Sequence, residues 1–226
     1  LGLKVVSTRP KNKMKSLPTV PATILIVDPI TGLPTSLMNG TYLTALRTAA
    51  GSGLATQLLA RKDAQVLSIF GAGMQAKAHL DACISVRETI SVLYIINRTM
   101  SRASDLRTYA LGKYGHQLNH VYVLNTATKE CVEKADIICT TTNSSTPVFN
   151  GSWLTNHTHI NAIGSYTPSM QEIDVLTVSR CCVYIDTPHA LTCGDLSMAK
   201  VTKERNGLME IGEASTLPVH ELCKTV

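Results

Sequence analysis

A chain of 226 residues, 44% hydrophobic and 16% charged, is globular and long enough to bury one full domain and part of a second. Its net charge of +5 comes from scattered Lys and Arg with only 4% aromatic residues, which argues against nucleic acid and suits a groove for a phosphorylated small molecule. The seven cysteines (83, 131, 139, 181, 182, 193 and 223) form no C-x-x-C pair or zinc-type spacing with His, and neither a secretory signal nor a bilayer-spanning run is present; a reduced, cytoplasmic protein without metal or membrane partner is expected.

The chain opens on Leu1-Gly2-Leu3-Lys4-Val5-Val6, which reads as the middle of a strand and suggests a fragment whose start is missing. Strand-like pieces at Leu3–Ser7, Thr23–Asp28 and Thr35–Met38 are joined by short loops and the Asp28-Pro29-Ile30-Thr31-Gly32 turn, a pattern that predicts an antiparallel sheet. Thr41–Ala60 places Leu43, Leu46, Ala49, Ala50, Leu54 and Leu58 at helical spacing. Arg47 interrupts this segment where Thr48, Ala49 and Ala50 leave room around it, which favours a ligand-facing guanidinium over a solvated one.

Val66–Phe70 is a short, β-branched apolar run followed by Gly71-Ala72-Gly73-Met74-Gln75-Ala76, the G-x-G-x-x-A form of the dinucleotide fingerprint. Gly71 permits the tight turn, Gly73 lets the backbone approach a pyrophosphate, and Ala76 keeps the new helix close to the sheet. Gly71, Ala72, Gly73, Met74 and Gln75 are therefore cofactor-binding candidates. A helix over Met74–Val86 and a strand over Ser91–Ile96 complete one βαβ unit. That second strand ends in Asn97-Arg98-Thr99, with Arg102 close behind, where an NAD site usually carries an acidic residue; a guanidinium and hydroxyls suit a 2′-phosphate, so NADPH is expected ahead of NADH.

Further on, a helix over Ser101–Lys113, a strand over Val121–Leu124, a helix over Ala127–Lys134 and a strand over Ala135–Thr142 continue the alternation. Ligands lie outside the carboxyl ends of parallel strands, which nominates Thr140 and Thr141, with Thr142, and Gly164 at the end of the next strand, Thr158–Ile163. Cys181–Asp186 is expected as a sixth strand. The predicted fold is α/β, a Rossmann-type doubly wound parallel sheet over residues 61–195, with an incomplete α+β substrate or dimerisation domain over 1–60 and a return segment over 196–226.

The segments Gly2-Leu3-Lys4-Val5-Val6, Leu43-Thr44-Ala45-Leu46-Arg47-Thr48-Ala49-Ala50, the Gly71–Ala76 turn, Asn97-Arg98-Thr99, His159-Ile160-Asn161-Ala162-Ile163-Gly164, Glu172-Ile173-Asp174 and Gly194-Asp195-Leu196 occur in the order seen in the ornithine cyclodeaminase and mu-crystallin family. The sequence resembles that family along nearly its whole length and is most similar to its mu-crystallin-type members, NADP(H)-dependent ketimine reductases that also bind thyroid hormone. The resemblance implies a homodimer with the active site between the Rossmann domain and a substrate domain built from both chain ends. It also implies further segments at both ends, so the competence of the fragment is open. Lys4 matches the family's active-site lysine. Arg47 matches the arginine that binds the substrate carboxylate beside the cofactor, and Thr48 belongs to the same cofactor-side turn. A cyclic ketimine carboxylate needs such a cation, best a bidentate guanidinium, and a nearby proton source.

One departure is informative: ornithine cyclodeaminases carry an aspartate two residues after the glycine that here is Gly164, and this chain has Tyr166. Tyrosine is no anionic base near neutral pH, which disfavours ammonia-eliminating cyclisation and leaves hydride transfer to C=N unaffected. The expected activity is NADPH-dependent reduction of small cyclic ketimine carboxylates. The alternatives are an NAD(H)-dependent cyclodeaminase or amino-acid dehydrogenase acting on an amino-acid substrate, and a non-enzymatic NADP(H) protein holding a thyroid-hormone-like ligand.

Overall fold

The computed structural model describes residues 1–15, 17–201 and 207–216. The chain divides into two compact units, Leu1–Ala49 and Ala50–Val226, a division that falls within the first long helix and not at its end. In the first unit, β1 (Gly2–Val6), β2 (Ala22–Val27) and β3 (Pro34–Asn39) form an antiparallel sheet with β2 in the middle, and Lys4, Ile24 and Met38 share one row. The β2–β3 turn is fixed by Asp28, whose Oδ1 accepts the backbone N–H groups of Ile30 at 2.9 Å and Thr31 at 2.7 Å. Asn39 Oδ1 then accepts the N–H of Thr41 and starts helix α1 (Thr41–Leu59).

The second unit holds a five-stranded parallel sheet in the order β6-β5-β4-β7-β8, formed by β4 (Val66–Phe70), β5 (Val92–Ile96), β6 (His120–Leu124), β7 (Ile137–Thr140) and β8 (His159–Ala162). Alternate residues supply the two cores expected of a sheet covered on both faces. Leu67, Ile69, Leu93, Ile95 and Ile137 pack with residues of α2 (Met74–Val86) and α3 (Met100–Tyr114), while Phe70, Tyr94, Ile96 and Ile138 pack with Phe149 and with Val132 of α4 (Lys129–Glu133). The order of the strands reverses between β4 and β7, and this switch point is where an open α/β sheet makes its ligand crevice.

The last turn of α1 is closed from outside the helix. The Arg87 guanidinium, on a residue only 6% exposed, donates to the carbonyls of Thr56, Gln57 and Ala60, and also to those of Arg61 and Val86. It thereby satisfies the Gln57 and Ala60 carbonyls at the helix end and adds a second donor to that of Thr56, which also accepts the Ala60 N–H at 3.1 Å.

The expected sixth strand is a correction. Of Cys181–Asp186 only Tyr184–Ile185 (β9) is a strand, and it pairs in parallel with Met209–Glu210 (β10) in a separate two-stranded sheet. After β8 the chain is tied down at the carboxyl edge of the main sheet by the Ser145–Gln171 bridge and by the buried Glu172 and Asp195, so it does not cross back to extend that sheet. Short helices α5 (Val175–Ser179), α6 (Gly194–Ala199) and α7 (Ile211–Ala214) accompany this region. No disulfide joins the six described cysteines, and Cys223 lies outside the described residues.

Candidate functional site

The turn after β4 has the conformation that its glycines predict. Gly71 has φ +112°, and a Cβ there would lie 2.5 Å from Thr141 Oγ1 and 3.0 Å from the Thr141 carbonyl, so the backbones after β4 and β7 meet closely. Gly73 is the N-cap of α2 with no side-chain cap, and a Cβ there would meet nothing within 4 Å. The first N–H groups of a helix are thus left facing open space beside a bare backbone, which fits a pyrophosphate. Ala76 is fully buried in the core beneath, while Ala72 and Gln75 are half-buried and Met74 is exposed.

At the end of β5, the backbone N–H of Asn97 donates to the Leu124 carbonyl at 3.0 Å and its Nδ2 to the Thr99 carbonyl at 2.8 Å, which shapes the turn into α3. Arg98, Thr99 and Arg102 are exposed; neither arginine has a hydrogen bond or ion pair among the described residues. No carboxylate stands at this strand end, since Asn97, Arg98 and Thr99 occupy it.

Beyond β7 and β8 lies a buried acidic network. Glu172 is fully buried; its Oε1 accepts the N–H of Thr142 and its Oε2 the N–H of Gly164 at 2.6 Å. The Glu172 and Ile173 N–H groups both donate to Asp195 Oδ1, and the Asp195 N–H donates to Ser165 Oγ at 2.9 Å. Burial pushes both carboxyls above the usual carboxylate range, opposed by the N–H donors that favour the charged forms. Thr140 is buried, with its hydroxyl near Glu172 but outside hydrogen-bond geometry, and Thr141 Oγ1 donates to the Phe70 carbonyl at 2.9 Å. Sequence reasoning gave Glu172 and Asp195 no role; the signal was an acidic residue beside apolar ones in each of two short motifs.

The second unit thus brings together the fingerprint turn, Asn97, Arg98, Thr99, Arg102, Thr140, Thr141 and Gly164 along the carboxyl edge of one sheet. In the first unit, Lys4 is exposed on β1, Arg47 is exposed on α1 and Thr48 is half-buried, its hydroxyl donating to the Thr44 carbonyl. Tyr166 is 46% exposed on the segment after β8. Among the described residues no cluster of His, Cys, Asp and Glu could hold a metal ion, and no helix is long and apolar enough to cross a membrane.

A profile of the ornithine cyclodeaminase/mu-crystallin family matches residues 1–216. The chain belongs to the ornithine cyclodeaminase/mu-crystallin family. Among relatives in this family, a Delta(1)-pyrroline-2-carboxylate reductase of Bacillus thuringiensis subsp. konkukian is 44% identical over 173 residues, which are 76% of this chain and 51% of that protein. The chain spans about half the length of these curated relatives. A structure of the Thermococcus litoralis Delta(1)-pyrroline-2-carboxylate reductase with NADH and L-proline superposes with a TM-score of 0.87 at 34% identity, covering 98% of this chain and 68% of that one. The iminosuccinate reductase of Paracoccus denitrificans, in complex with NAD+, gives a TM-score of 0.80 at 28% identity, covering 95% of this chain and 65% of that one. The Rossmann-type architecture is therefore that of the family.

Proposed function

We propose that this chain carries the cofactor-binding core of a reductase that uses NADPH to reduce small cyclic ketimine carboxylates. The observation that carries the cofactor choice is the end of β5, where Arg98 and Arg102 are exposed with no hydrogen bond or ion pair among the described residues and Asn97-Arg98-Thr99 offers no carboxylate to repel a 2′-phosphate. Gly71 through Gln75 would hold the pyrophosphate, Asn97, Arg98, Thr99 and Arg102 the adenosine ribose and its phosphate, and Thr140, Thr141 and Gly164 the other half. When bound, the cofactor supplies a hydride.

The chain's own residues do the rest in this reading. Arg47 engages the substrate carboxylate through a bidentate guanidinium, and Lys4 supplies the proton that reaches the imine nitrogen or holds the substrate electrostatically. Reduction of a C=N bond needs no anionic base at the position of Tyr166, which supports a reductase over a cyclodeaminase. The similarity to Delta(1)-pyrroline-2-carboxylate reductases supports a cyclic imine as substrate. The relatives named above are a set of reductases, and none lends support to a hormone-type ligand. A dimer is part of the same proposal; an archaeal alanine dehydrogenase similar to this chain is a dimer with bound NAD.

A second reading, NAD(H) in place of NADPH, is favoured by the structural neighbours that hold NADH or NAD+. Fluorescence titration with both reduced cofactors separates the two. The unaltered protein is expected to bind NADPH at least about tenfold more tightly than NADH, and Arg98→Ala to abolish the difference, as loss of one charge-assisted contact to a phosphate implies. Equal affinities, or tighter NADH binding, would install the second reading.

A further inference from the structure

The main sheet's ladder between β7 and β8 ends at the hydrogen bond from the Ile163 N–H to the Thr140 carbonyl, 2.9 Å long. Past that rung the two strand ends separate into the loops that carry Thr141–Thr142 and Gly164–Ser165. One side chain spans the opening: Glu172 accepts Thr142 N–H on one oxygen and Gly164 N–H on the other. There is no room to spare, because a Cβ on Gly164 would lie 1.9 Å from the Thr142 carbonyl oxygen and 2.6 Å from Glu172 Cδ. The glutamate is itself held at its backbone. Its N–H is bound by Asp195 Oδ1 at 2.8 Å, and its carbonyl accepts the Val148 N–H at 2.8 Å.

The chemistry of this arrangement is selective. Both oxygens accept, an arrangement a carboxyl group supplies; an amide offers one acceptor and would set an NH2 against an N–H. A carboxylate fully removed from water is costly unless it is fully hydrogen-bonded, and a sheet of this kind can hold its loops with backbone bonds alone. The adenosine half of the proposed cofactor is assigned to β4 and β5, so the nicotinamide half falls on the side of β7 and β8, where these loops emerge.

We infer that Glu172 is a positioning residue, which sets the spacing of the β7 and β8 loops so that the nicotinamide half of the cofactor is held in one orientation. This rests on the cofactor reading above. Glu172 bonds Thr142 and Gly164 and no residue of the β5 end, so its loss acts first on the nicotinamide half, which separates positioning from general structural support.

The test uses the full chain with two probes, adenosine 2′,5′-bisphosphate for the adenosine half and NADPH for the whole, the latter read by the rise in its nicotinamide fluorescence on binding. In Glu172→Gln the bisphosphate is expected to bind within about twofold of the unaltered chain, whereas the fluorescence rise is lost and the NADPH Kd increases about tenfold, as for one lost bond to a charged group. Glu172→Asp keeps two acceptors on a shorter arm; it is expected to retain bisphosphate binding with a diminished fluorescence rise, and it carries the test if the glutamine variant does not fold. Unchanged NADPH fluorescence and affinity in folded variants would overturn the inference, as would parallel loss of both probes, which marks general structural support. Binding of neither probe by the unaltered chain would overturn the cofactor reading itself, and the inference with it.

Discussion

Gly164→Ala is expected to destabilise the nucleotide-binding unit by about 3–5 kcal/mol, the cost of overpacking plus buried hydrogen bonds lost. The added methyl group would lie 1.9 Å from the Thr142 carbonyl oxygen, and it would also press on Glu172 Cδ and Oε2 at 2.6 Å. These are a backbone atom and a buried carboxylate, neither of them the free end of a flexible chain. Relief requires the loops after β7 and β8 to part, which breaks the Glu172 bonds to Thr142 and Gly164. Gly73→Ala is the contrasting case. Nothing lies within 4 Å of a Cβ there and φ is −95°, so stability should change by less than about 1 kcal/mol, while cofactor affinity falls because the methyl group enters the space of the pyrophosphate. Urea unfolding of both variants, followed by NADPH titration, checks the pair. Equal stability losses at the two glycines would contradict the geometry.

Arg87→Ala is expected to cost about 2–4 kcal/mol, because the carbonyls of Gln57 and Ala60 lose their donor at once. Nη2 alone donates to Thr56 at 2.8 Å, Gln57 at 3.0 Å and Ala60 at 2.8 Å, and Nε donates to Arg61 at 3.0 Å. The Gln57 and Ala60 carbonyls have no other donor among the described residues, whereas that of Thr56 also accepts the Ala60 N–H at 3.1 Å. Arg87→Lys should recover only part of the loss, since a single ammonium cannot reproduce the planar fork. Urea unfolding midpoints measure the series, and a loss below about 1 kcal/mol for the alanine variant would show that water satisfies these carbonyls instead.

What the sequence disclosed and what it withheld follow from the range of the interactions involved. The fingerprint turn was legible because each demand is local: a positive φ at Gly71, a bare backbone at Gly73 and close packing at Ala76 each select a residue type. The parallel strands were legible as runs such as Val66–Phe70 and Val92–Ile96, whose residues face core on both sides. Cys181–Asp186 carries the same strand-forming composition, yet composition names no partner. Its partner, Met209–Glu210, lies more than 20 positions further on, and the anchors of the preceding segment, Glu172 and Asp195, bond residues 8 to 30 positions away. Arg87 likewise looks like any charged residue near a helix end, and its role comes from carbonyls up to 31 positions earlier. The role given to Lys4 comes from family resemblance, since an exposed strand lysine carries no chemical signature of its own, whereas Arg47 is also marked by the small residues Thr48, Ala49 and Ala50 beside it.

Hydride transfer from NADPH to a cyclic imine bearing a carboxylate is the activity proposed for this family member. It is tested most directly by following NADPH absorbance when the protein, with whatever sequence flanks this chain in the gene, meets Delta(1)-pyrroline-2-carboxylate. The expected result is stoichiometric conversion of NADPH and imine to NADP+ and proline, faster with NADPH than with NADH and lost in Arg47→Ala. No oxidation of either cofactor by the imine, with ornithine instead converted to proline and ammonia, would contradict the account.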